Sequence, residues 1–195
     1  PDFDLHSGDT WTAKDLTQYF LVKSSNDGAN AVCNAVTILV EKNNPALDCV
    51  ALMNQYAKNQ NLTSLSFSNA SGLDLKSGAP SSYGSAYDVA KMLNLAYTSY
   101  PALFSVTSEP SITFRTNKYI YTATNTDIVL EDIKTVLAGK TGYTETAGGN
   151  LAILYEPHPN LHIVIVVLGA SREGRFSDML ELVKKTNKYV TTHNL

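Results

Sequence analysis

The sequence predicts an α/β chain of the segregated, α+β kind: an antiparallel sheet flanked by helices, plus a helical part. Three observations carry this. Apolar residues recur at helical spacing through most of the first half. The second half turns to short β-branched and aromatic runs. An amphipathic pattern over residues 176–190 then closes the chain.

The elements follow in order. Asp9 and Thr10 are placed to cap a helix carrying Leu16, Tyr19, Phe20 and Val22. Residues 24–28 read as a loop. Residues 29–41 read as a buried helix, apolar at Val32, Cys33, Val36, Leu39 and Val40, stopped by Asn43-Asn44-Pro45. Residues 46–59 read as another helix, with Val50, Leu52, Met53 and Tyr56. Residues 63–82 are polar and rich in Gly and Ser, an ordered loop. A helix over 85–97 presents Val89, Met92, Leu93 and Ala96.

Strands are predicted over 111–115, 119–124 and 136–144. Two more, over 150–155 and 162–168, are joined by the turn Glu156-Pro157-His158-Pro159-Asn160. No repeat, low-complexity tract or linker interrupts the chain, so residues 1–195 are expected to form one domain.

Composition excludes several classes of function. The chain of 195 residues is 44% hydrophobic, which suits a packed core and is too apolar for disorder. A net charge of −3 with scattered Lys and Arg argues against nucleic acid, whose binding needs a basic stripe to displace counterions. The longest apolar run, residues 163–168, falls far short of the roughly eighteen residues of a membrane helix. Pro1-Asp2-Phe3 reads as a start inside a longer gene product.

Cys33 and Cys49 both lie in apolar helical patterns. They read either as two buried free thiols or as a disulfide joining two packed helices. Neither has a ligand at zinc spacing. No cofactor and no metal is expected. His158 and His162 are four apart, but Pro157 and Pro159 forbid the helix a metal pair would need. Gly139-Lys140-Thr141 lacks the earlier glycine of a phosphate loop and is not followed by a helical pattern.

Two short motifs gain meaning together. Ser24-Ser25-Asn26 sits at a helix–helix junction, and Lys140-Thr141-Gly142 sits on a predicted strand more than a hundred residues later. In that order and on those elements they are two of the three signatures of penicillin-interacting serine enzymes. Around them lie Gly8-Asp9-Thr10-Trp11-Thr12, Phe67-Ser68-Asn69-Ala70-Ser71-Gly72-Leu73-Asp74, Ala147-Gly148-Gly149-Asn150-Leu151 and Gly169-Ala170-Ser171-Arg172. The pattern resembles the D-alanyl-D-alanine carboxypeptidase family, the low-molecular-mass penicillin-binding proteins, from about Gly8 to Tyr189.

The resemblance implies a β-lactamase/transpeptidase-like fold and a serine hydrolase of the bacterial cell envelope, outside the cytoplasmic membrane. Its substrate would be a peptidoglycan stem peptide ending in D-Ala-D-Ala, and β-lactams would acylate it. Ser24 would relay a proton between Lys140 and the leaving amine. Lys140 and Thr141 would hold the terminal carboxylate. Asn26 would offer its amide to the peptide carbonyl. Gly142 would let the strand approach the ligand, and the Tyr143 backbone N–H would be an oxyanion donor. Arg172 would add positive charge, with a plain surface arginine as the other reading. Asn69 and Asp74 are expected to order their loop.

The third signature, Ser-x-x-Lys, is absent: no serine in the 195 residues has Lys three positions later. The chain is therefore expected to be a piece of an active enzyme, with the fold incomplete at its N-terminus. An N-terminal segment or second chain would complete the sheet. A non-catalytic homologue that binds stem peptides is the alternative. A class A-like β-lactamase is a third reading, with Glu109-Pro110 a faint echo of its deacylation loop.

Overall fold

The computed structural model describes residues 4–42, 44 and 47–195. The predicted helix stop at Asn43 and Pro45, the helix start at Ala46 and the opening Pro1-Asp2-Phe3 lie outside the described residues. The elements run α1 (Ala13–Lys23), α2 (Asn26–Glu41), α3 (Cys49–Asn59), β1 (Ser66–Phe67), β2 (Ser82–Tyr83), α4 (Ala86–Ser99) and α5 (Pro101–Phe104). They continue as β3 (Ser111–Arg115), β4 (Ile120–Thr124), β5 (Val136–Thr144), β6 (Gly148–His158), β7 (Leu161–Ala170) and α6 (Gly174–His193). Two 3₁₀ turns, Ser105–Ser108 and Ile128–Glu131, flank the β3–β4 hairpin. The α+β architecture predicted from the sequence is present.

The main sheet is antiparallel, in the order β5-β6-β7. Its middle strand is buried on both faces, and side-chain alternation along β6 shows why. Leu151, Ile153 and Tyr155 pack toward Phe176, Met179 and Val183 of α6. Ala152 and Leu154 pack toward Leu93 of α4, with Val89 and Tyr97 beside them. A second cluster joins α1 to the β3–β4 hairpin through Tyr19, Val22, Phe114, Tyr121 and Ala123, with Trp11 against it. A third gathers Ala57, Leu62 and Leu65 under Met92. No helix among the described residues is long and apolar enough to cross a membrane.

Several local expectations are corrected. The cap of α1 is Thr12, whose side chain accepts from the Asp15 N–H. Asp9 instead accepts from the Tyr121 hydroxyl at 2.7 Å and from Thr116 Oγ1 at 2.8 Å, tying the segment before α1 to the hairpin. The predicted loop over residues 24–28 shrinks to Ser24 and Ser25, because Ser25 caps α2 by accepting from the Gly28 N–H at 3.0 Å. The buried-helix reading of residues 29–41 also fails: Ile38 and Leu39 are exposed, and Gly28 is the buried residue of α2. The polar stretch 63–82 holds a small β1–β2 pair at its ends.

Cys33 and Cys49 form a disulfide, with Cα atoms 5.3 Å apart. The free-thiol reading is therefore replaced by its alternative. The bond holds the first residue of α3 beside the middle of α2.

Candidate active site

The site is built where two helices meet the free edge of the sheet. α1 ends at Ser24, which adopts the left-handed conformation (φ 59°) that terminates helices. α2 starts two residues later. Gly28 lets the helices approach: a Cβ there would lie 2.7 Å from the Phe20 Cβ. This tight junction projects Ser24 toward β5, the edge strand, which pairs with β6 alone among the described strands.

Lys140 of β5 crosses that gap. Its Nζ donates to Ser24 Oγ at 2.7 Å and to the Thr141 carbonyl at 2.9 Å. Burial, and then the Arg175 guanidinium, lower the Lys140 pKa to about 8, while Asp127 acts against the shift. Such an ammonium sits near the point where it can both hold and release a proton. The hydroxyl beside it is the nearest relay.

Thr141 follows Lys140 on the strand, so its side chain leaves the opposite face. It is buried, and its hydroxyl meets that of Thr126 at 2.5 Å. The two side chains therefore leave β5 in different directions, Lys140 toward Ser24 and Thr141 toward Thr126. The Gly142 carbonyl accepts from Arg175 Nη1 at 2.8 Å. Tyr143 stands exposed at the end of the strand. The Arg172 guanidinium lies 5.1 Å from its ring centre and that of Arg175 6.0 Å. The Tyr143 hydroxyl donates to Glu145 at 3.0 Å. Asn26 is the first residue of α2, two positions from Ser24.

Loop 69–80 walls the same end of β5. Asp74 accepts from Thr144 Oγ1 at 2.9 Å and from the Thr146 N–H at 3.3 Å. Asn69 accepts from the Gly72 N–H and donates to the Leu73 carbonyl. Both act as the sequence suggested, in ordering the loop. Glu109 is exposed at the end of a 3₁₀ turn, and its carbonyl accepts from Asn125.

Three residues of this region were given no role at the sequence level. Arg175 is buried on the first turn of α6 and reaches back to β5. Thr126 and Asp127 precede the second 3₁₀ turn and lie along residues 139–141. Nothing in the local pattern marks Thr126 or Asp127. Arg175 had one signal, its position three residues beyond Arg172 after the last strand.

Comparison with known proteins decides the lineage. A family model described as D-alanyl-D-alanine carboxypeptidase matches residues 3–172. The chain belongs to the D-alanyl-D-alanine carboxypeptidase family. It is 32% identical over 182 residues to D-alanyl-D-alanine carboxypeptidase DacD of Salmonella typhimurium, covering 92% of this chain and 43% of that protein. It is 30% identical over 190 residues to the DacD of Escherichia coli, covering 96% and 45%. The chain thus spans less than half the length of these curated relatives. Among solved structures it is similar to penicillin-binding protein D2 of Listeria monocytogenes in its cefotaxime-bound form. That match has a TM-score of 0.73 and 26% identity, and covers 89% of this chain and 66% of that one. The Streptomyces K15 DD-transpeptidase, at 20% identity and TM-score 0.76, shares the fold. In this D-alanyl-D-alanine carboxypeptidase family member, the Ser24–Lys140 contact joins two of the signature motifs.

Proposed function

We propose that this chain forms one wall of the active site of a serine D-Ala-D-Ala carboxypeptidase that trims peptidoglycan stem peptides. The observation that carries the reading is the hydrogen bond from Lys140 to Ser24. In the proposed reaction a serine attacks the penultimate carbonyl, D-alanine leaves, and water resolves the acyl-enzyme. Ser24 passes a proton between Lys140 and the leaving amine. Asn26 holds the peptide amide and Gly142 gives backbone access. The Tyr143 N–H stabilises the oxyanion. Lys140, Arg172 and Arg175 form the cationic end that receives the terminal carboxylate, with Thr141 backing Lys140 through Thr126.

The nucleophile in this reading comes from a Ser-x-x-Lys segment outside these 195 residues, supplied by further sequence or by a second chain that also completes the sheet. β-Lactams would acylate that serine, as the cefotaxime-bound relative suggests. The site of action is the bacterial cell envelope, outside the cytoplasmic membrane. The Cys33–Cys49 disulfide fits that oxidising location.

The test is the intact mass of the native protein with and without excess benzylpenicillin. A mass above 21.2 kDa that gains one adduct is the expected result. An adduct on the 195-residue chain itself would overturn the assignment, because one of its own serines would then be the nucleophile.

A further inference from the structure

Ser24 has the surroundings of a nucleophile as well as those of a relay. Lys140 Nζ lies 2.7 Å from its Oγ. The Thr141 carbonyl holds the same Nζ at 2.9 Å, so the amine is fixed beside the hydroxyl. Ser24 stands at a sharp elbow between α1 and α2, with φ 59° and ψ 38°. A serine on a strained turn into a helix presents its Oγ outward, as the nucleophile elbow of α/β-hydrolases does. Ser24 is only partly covered. Its neighbour Ser25 is buried and spends its hydroxyl on the Gly28 N–H. α2, 16 residues long, starts just beyond, and the first turn of such a helix carries partial positive charge that steadies a nearby oxyanion.

We infer that the 195-residue chain has an activity of its own, in which Ser24 is acylated by small activated esters with Lys140 as the general base. A lysine beside a serine can replace the histidine of a serine hydrolase, and such a pair is recognised by geometry rather than by sequence position. A relay needs the Ser24 proton to pass to Lys140 Nζ, and that same transfer makes the oxygen nucleophilic. In the step, Oγ bonds to the ester carbonyl carbon as its proton moves to the neutral amine. The carbonyl then re-forms, the ester C–O bond breaks, and the alcohol portion leaves as its anion. Lys140 gives the proton up to solvent.

The charged groups that act on Lys140 are Arg175 of α6 and Asp127, just before the second 3₁₀ turn. Burial and then Arg175 bring its pKa to about 8, with Asp127 opposing. The neutral amine that serves as base is therefore present in mildly alkaline solution, below the ordinary lysine range.

The experiment mixes the chain with p-nitrophenyl acetate, follows nitrophenolate release, and quenches in acid within the first turnover for intact mass and peptide mapping. The expected result is one acetyl group on Ser24. Its rate of formation rises with pH and levels off above about 8. Lys140→Met should lower that rate roughly hundredfold. Ser24→Gly, which suits the left-handed backbone, should lose both the burst of nitrophenolate and the label.

An acetyl group that Ser24→Gly still acquires at the same rate overturns the inference, because another group is then the nucleophile. An unaltered chain that takes up no acetyl group overturns it too. Should Lys140→Met fail to fold, the pH profile of the unaltered chain decides. A rate that climbs past about 8 without levelling off makes hydroxide the base and sinks the assignment. The penicillin test concerns a serine outside these 195 residues and the ester test concerns Ser24, so either can fail while the other reading stands.

Discussion

Lys140 Nζ and Ser24 Oγ, 116 positions apart in the chain, lie 2.7 Å apart. Each is held by a different device. Ser24 is the left-handed terminus of α1, and Lys140 sits mid-strand in β5. The proposed chemistry depends on both devices, and they can be perturbed separately.

The ammonium can be titrated away. Burial and then Arg175 bring Lys140 to about 8, so the cation that would meet a substrate carboxylate is lost above that pH. Affinity for a short peptide ending in D-Ala-D-Ala should fall roughly tenfold as pH rises through this value, as expected for one charge-assisted hydrogen bond. Calorimetric titration checks it, and a flat profile would count against Lys140 as the anchor. The sign for stability is opposite. Between about 8 and the ordinary lysine range the unfolded chain holds a proton that the folded chain has released, so this group makes stability rise with pH.

Ser24→Gly and Ser24→Ala separate backbone from hydroxyl. Both remove the acceptor for Lys140 and should abolish turnover equally in the complete enzyme. Glycine tolerates the φ of 59° and alanine does not, so Ser24→Gly should be the more stable by about 1 kcal/mol. Urea denaturation midpoints of the two variants give the answer; equal midpoints would remove the case for strain.

Gly28→Ala tests the helix junction. The added Cβ would meet the Phe20 Cβ at 2.7 Å, so α1 and α2 must move apart. A loss of about 1–3 kcal/mol is expected from overpacking, with chemical-shift changes centred on Ser24 to Asn26. Alanine tolerated without either effect would show that the contact relaxes cheaply.

Reduction should weaken the α2–α3 unit. Cys33 and Cys49 enclose a separation of 16 residues, and losing such a cross-link costs about 2–4 kcal/mol. Thermal unfolding with and without a thiol reductant measures it, with Cys33→Ser/Cys49→Ser as the matching variant. A melting temperature unmoved by either would deny the disulfide a stabilising role.

Asp74 ties its loop to the end of β5 as a carboxylate. Hydrogen bonds from Thr146 and Thr144 outweigh its burial and hold its pKa below the ordinary value. A lowered acid contributes its stability above the ordinary carboxylate range and loses it as pH falls through the folded pKa. Relative to the intrinsic exchange rate at each pH, protection of the Thr146 amide should therefore fall in acid, and Asp74→Ala should reproduce that loss of protection at neutral pH. An amide equally protected in the variant would place its protection elsewhere.

Much of this molecule was legible in one dimension. The strands over 111–115 and 136–144 have the predicted bounds, because alternation and β-branching report a half-buried sheet directly. The family was legible because Ser24-Ser25-Asn26 and Lys140-Thr141-Gly142 occur in order on a helix junction and a strand. The helix starts were not: Thr12 won the cap of α1 over Asp9 and Thr10 because Asp9 found Tyr121 and Thr116, partners more than a hundred residues away, and Ser25 capped an α2 that begins three residues before the expected start. Only the tertiary structure chose the disulfide over free thiols, since that choice depends on the distance between two helices. Only it placed Asp127 and Arg175 around Lys140. Their charges act through space and through burial, and neither distance nor burial is written in the order of residues along the chain.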